Sequence, residues 1–124
     1  MKEIFRLNND NAMDFNQARE ILLDFACADK TKKFNEQDFI NLIPAVYSYC
    51  NERFVYGMPD TYYTIYKNKD DITIAGCDLN RVKFNLASFN HLDRPLTQNR
   101  RMNILNTLFH EHTHLGDYND KSKK

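Results

Sequence analysis

Near the end of the chain, His110-Glu111-His112-Thr113-His114 places side chains that can hold a metal beside one that can move a proton. On a helix, His110 and His114 stand one turn apart on a single face, where both imidazoles reach one tetrahedral ion. Glu111, next to the first of them, projects toward the same cleft and is placed to take a proton from an activated water. The pattern fixes three residues in a chain with only four His, so the spacing is specific. A plain solvated helix face would use the same residue types, and that reading carries no chemistry.

A helical projection at about 100° per residue divides this segment in two. Asn103, Asn106, Thr107, His110 and His114 fall in one polar stripe, and Ile104, Leu105, Leu108, Phe109 and Leu115 cluster opposite. His112 lies with the apolar group, so it reads as a hydrogen-bonded core histidine and not as a ligand. One face packs and the other presents the two imidazoles.

That helix needs a frame. Phe15, Ala18, Ile21, Leu22, Phe25 and Ala26 recur at three and four, which predicts a helix from about Asp14 to Ala28. A second helix is expected from Asn35, with Asp38 completing a capping box and Pro44 kinking it or shifting its start. After Gly57 and Pro59 the period becomes two. Tyr62–Tyr66 and Ile72–Ile74 flank Asn68-Lys69-Asp70-Asp71 and predict a hairpin, and Val82–Leu86 follows as a third strand after a turn at residues 76–80. Thr97 is the expected N-cap of a last helix from Gln98 to Leu115. The expected fold is therefore α+β: N-terminal helices, a small antiparallel three-stranded sheet, and the C-terminal helix carrying the His-Glu pattern.

The remaining arithmetic bounds the function. The chain has 124 residues, 42% of them hydrophobic, with nine Phe and seven Tyr, enough for the core of one domain spanning residues 1–124. Seventeen basic residues balance seventeen acidic ones, so the net charge does not support a nucleic-acid binder or a polybasic membrane binder. Asn99-Arg100-Arg101, with Arg94 and Lys83, reads as a solvated helix start, with a basic patch near the cleft as the other reading. No unbroken apolar stretch exceeds the four residues Phe25 to Ala28, and Met1–Arg6 carries charges where a signal peptide needs an apolar run. A soluble, cytoplasmic protein is expected. Cys27, Cys50 and Cys77 form no CxxC pair and read as reduced thiols.

From Ile74 to His114 the chain resembles the zincin metallopeptidases, and among them the SprT-like (Spartan-type) domains. The resemblance rests on Ala75-Gly76, on the alternating Val82-Lys83-Phe84-Asn85-Leu86, and on Asn106-Thr107-Leu108-Phe109-His110-Glu111-His112-Thr113-His114. It implies a zincin-like arrangement in which His110 and His114 bind Zn2+ and Glu111 is the general base. It also implies an extended polypeptide substrate lying beside an edge strand. Relatives take a third ligand downstream of the second His. In SprT-like domains it is a distant His; ten residues follow His114 here, and none is His. Asp120, ten residues past His110, matches the spacing at which metzincin-like zincins place a His or Asp. Gly116 would end the helix and turn residues 117–120 back toward the metal. Asp120 is thus the expected third ligand, with Asp117 and His91 behind it, and a two-His site rich in water or no stable metal as the remaining alternatives. The expected function is a zinc-dependent metallopeptidase. The alternative is an inactive zincin scaffold that acts by binding a protein partner.

Overall fold

The computed structural model describes residues 2–89 and 92–123. Along the chain these form β1 (Lys2–Leu7), α1 (Phe15–Ala26), β2 (Lys33–Phe34), α2 (Glu36–Arg53), β3 (Thr61–Tyr66), β4 (Ala75–Asp78), β5 (Arg81–Asn85), β6 (Arg94–Pro95) and α3 (Gln98–Ser122). The class is α+β, as expected.

Each helix starts where its side chains satisfy the orphan amides of the first turn. Asp14 accepts from the backbone N–H of Asn16 and Gln17 ahead of α1. Asn35 and Asp38 bond reciprocally to each other's N–H, the predicted capping box of α2. Thr97 accepts from Arg100 at the start of α3. Pro44 lies inside α2 and does not displace its start. Lacking an N–H, it leaves the Ile40 carbonyl without the usual helical donor.

The sheet differs from the expected one. It has four strands in the order β1-β3-β5-β4 and is mixed: β3 and β5 run parallel, while β1–β3 and β5–β4 are antiparallel. β1 was not anticipated, because its charged ends hide the short apolar pattern of Ile4, Phe5 and Leu7. The expected hairpin between residues 62–66 and 72–74 does not form. The segment after β3 instead crosses the end of β5 and returns as β4 on the outer edge. Asn85 explains the crossing. Fully buried, it accepts from the N–H of Asn68 and Ala87 and donates to the carbonyls of Asn68 and Asp71. Residues 76–80, read as a turn, supply most of β4, and the turn shrinks to Leu79 and Asn80, with Leu79 at φ 56°.

Tyr63 and Ile65 of β3 and Val82 and Phe84 of β5 point to one face and are almost wholly buried, while Tyr62 and Lys83 face solvent. The helices cover only that buried face, the usual one-sided burial of a sheet with antiparallel edges. Phe39 of α2 meets Phe84 edge-on at 5.4 Å between ring centroids. α3 lies against α2 and β4, so the edge strand borders the helix that carries the His-Glu pattern.

Candidate metal centre

α3 does not stop at Gly116. It continues to Ser122, and Gly116 is there for close approach: a Cβ at this position would collide with the Phe54 ring. Phe54 caps the C-terminus of α2 and leans on α3, so a glycine that reads as a helix terminator instead lets two helices meet.

The consequence falls on the third ligand. On one continuous helix, Asp120 lies about 15 Å along the axis from His110. It is not turned back toward the two imidazoles, and the expectation for Asp120 is corrected on that ground. Asp117 lies three residues beyond His114 on the same side of the helix, but about 10 Å from His110 along the axis. His91 lies outside the described residues. Among the described residues, no group of three His, Cys, Asp or Glu side chains gathers around one point.

The two histidines do come together. His110 and His114 are exposed, and their Nε2 atoms are 3.2 Å apart with the rings nearly perpendicular. Two imidazole nitrogens on one tetrahedral zinc, each at about 2.05 Å, lie about 3.3 Å from each other. The pair therefore has the bite that a single zinc requires. Without an ion, the same distance suits an N–H of one ring donating to the lone pair of the other.

Glu111 stands at the border between the two helix faces. It is only 6% exposed, and no donor among the described residues lies within hydrogen-bond distance of its carboxylate. Across from it is Cys77 of β4, whose thiol is pushed up to about 11 by burial, with the Glu111 and Asp78 charges adding to the effect. The thiol stays protonated at neutral pH.

His110 and Glu111 form one wall of a groove of about 400 Å³, with Asn106 and Thr107 beside them and Ile74 and Ala75 opposite. The opposite wall is an open strand edge. The Asn85 N–H donates to the Ile74 carbonyl at 2.9 Å, which makes Ile74 and Asn85 a hydrogen-bonded pair. Alternation along an antiparallel ladder then turns the N–H and C=O of Gly76 and Asp78 toward β5, and those of Ala75 and Cys77 outward. Among the described residues no strand pairs with that outer edge.

Beneath the groove, His112 is fully buried and satisfied at both nitrogens. Its Nδ1 donates to the Leu108 carbonyl at 2.7 Å, so Nε2 accepts from the Tyr63 hydroxyl, also at 2.7 Å. Burial pulls the ring down to about 4 despite the Leu108 bond, and burial likewise raises Tyr63 well above its usual range. The core reading of His112 holds, and its tie to β3 fixes how α3 is rotated on the sheet. Sequence reasoning missed Tyr63 as its partner, since nothing local links residues 49 positions apart.

Arg101 also departs from expectation. It is 3% exposed, and its guanidinium donates to the carbonyls of Ala28 and Asp29. It is not part of a solvated helix start. No helix of the described residues is long and apolar enough to cross a membrane. Comparison of the chain with family models, with curated proteins and with solved structures returns no match.

Proposed function

We propose that this chain is a zinc-dependent metallopeptidase on a zincin-like frame, acting on a polypeptide in extended form. The observation that carries the reading is a 3.2 Å imidazole pair, one ring of which lines the groove, beside a buried Glu111 with no donor among the described residues. His110 and His114 would hold the ion. A zinc ion held there would supply Lewis-acid chemistry toward a water and the scissile carbonyl. Glu111 takes the proton of the attacking water and hands it to the leaving amine, so it ends the cycle as it began. The outward N–H and C=O groups of Ala75 and Cys77 offer main-chain hydrogen bonds that would align the substrate along β4.

A second reading has its own observation. The described residues bring no third protein ligand to the pair, which favours an inactive zincin scaffold that binds a protein partner through the same groove.

Elemental mass spectrometry of tag-free protein, purified without added metal or chelator, tests the enzyme reading. Near-stoichiometric zinc that disappears in His114→Ala is expected. Cleavage of casein, lost by at least a hundredfold in Glu111→Gln while zinc is kept, separates the readings. Zinc without cleavage points to the binder. Absence of zinc in both proteins, with added zinc also failing to bind, defeats the enzyme reading and leaves the binder.

A further inference from the structure

A second cavity, of about 240 Å³, lies at the other end of α3, where the end of α1, β2, the first half of α2 and Arg101 meet. We propose that it binds a small organic anion, an apolar body carrying one carboxylate that is received by Arg101. This rests on residues remote from the His-Glu groove and does not depend on the zinc reading.

Part of the wall is apolar and buried: Phe25, Phe34, Leu42 and Leu96 are each under 10% exposed. Of the charged lining residues, which include Asp24, Lys32, Lys33 and Asp38, Arg101 alone is buried. A guanidinium 3% exposed is normally matched by a carboxylate, because a cation withdrawn from water is strongly unfavourable on its own. Here its partners are two neutral carbonyls, of Ala28 and Asp29, just past the end of α1. Among the described residues no carboxylate lies within ion-pair distance of it. Asp29 feels the Arg101 charge, but its Oδ1 already accepts from the Thr31 N–H and hydroxyl at 2.8 and 2.9 Å. Two of the five N–H groups of the fork are used, which leaves donors for a carboxylate.

The rest of the lining fits the same sign. Lys32 and Lys33 stand at the wall without an ion pair among the described residues. Of the two lining carboxylates, Asp38 is committed to the α2 capping box, where its Oδ2 accepts from the Asn35 N–H at 3.0 Å. Asp24 lies exposed on α1. Three cations thus face two carboxylates, and only one of those is uncommitted. A partly apolar wall with a few placed charged groups is the common form of a small-ligand site. The volume is below the roughly 300 Å³ lower limit for drug-sized ligands, so the occupant is a short chain or a single ring.

The test is a titration of the intact protein with octanoate, 1-octanol and octyltrimethylammonium, followed by backbone amide NMR shifts. Octanoate is expected to saturate at one equivalent, to move the amides of Phe34, Leu42 and Leu96, and to bind at least tenfold tighter than the alcohol. The ammonium should not bind. Arg101→Gln, which keeps donors for the two carbonyls but loses the charge, should weaken octanoate at least tenfold. If that variant does not fold, the exposed pair Lys32→Gln and Lys33→Gln should still weaken octanoate severalfold without affecting the alcohol. Equal affinity for acid and alcohol, shifts centred on His110 and His114, or no saturation would overturn the proposal.

Discussion

Within five residues α3 uses the same side chain in two opposite ways. His110 and His114 stand in solvent with their nitrogens turned to one another. His112, between them, is sealed in the core with both nitrogens spent on Leu108 and Tyr63. The chemistry of the imidazole is the same throughout; only helical phase differs. Phase decides which ring keeps a lone pair for an ion and which gives both nitrogens to the fold. Glu111 sits on the seam between the two faces, buried like His112 and yet without a hydrogen-bond donor among the described residues.

The sharpest way to break this contrast is to exchange the losses. His114→Ala should remove bound zinc entirely and, compared with the metal-free parent, leave unfolding stability within about 0.5 kcal/mol, as exposed positions usually do. His112→Gln should keep the zinc and change the pH dependence of stability. The folded His112 titrates near 4 against an ordinary value of 6.5, so between those values the unfolded chain takes up a proton that the native state refuses. Stability from this group is therefore complete above pH 6.5 and is lost as pH falls toward 4, by about 3 kcal/mol in total. Urea unfolding at pH 7, 6 and 5 should show this slope in the parent and a flatter one in His112→Gln. Identical slopes would mean that the ring is not held neutral.

Tyr63→Phe probes the same contact from the sheet. It strands the His112 Nε2 acceptor in the core, and a loss of about 2 kcal/mol is expected, measured at pH 7. The smallest effect belongs to Gly116→Ala. Alanine should gain about 1 kcal/mol over glycine in a helix interior. The collision with Phe54 outweighs this, since overpacking costs about 1–3 kcal/mol. A net loss of about 1 kcal/mol in thermal unfolding is the expected result; a net gain would show that Phe54 moves aside without cost.

Much of the helical frame could be read from local pattern. The caps Asp14, Asn35 and Thr97 act within three residues of themselves, and the apolar repeats of α1 and α2 report their buried faces directly. The split of α3 into an open and a packed face, with His112 inward, follows from the same periodicity. The sheet was less legible. Two short alternating runs separated by five polar residues suit a hairpin, and only the buried side chain of Asn85, distant in sequence, turns that stretch into a crossing. Gly116 shows the same limit: a glycine near the end of a periodic run reads as a stop, and the Phe54 ring that requires it lies 62 positions earlier.

The sequence by itself determined where the helices begin, which face of α3 is open, and that His110 and His114 share it, because these depend on bonds and spacings within a few residues. Tertiary structure decided the rest. It set the mixed strand order, buried Glu111 without a donor, carried α3 past Gly116 and so kept Asp120 from the imidazole pair, and enclosed Arg101 among apolar walls. Each of these depends on which distant surfaces meet, and in this chain those meetings are made by single residues such as Asn85, Phe54 and Tyr63 that carry no local signal of their partners.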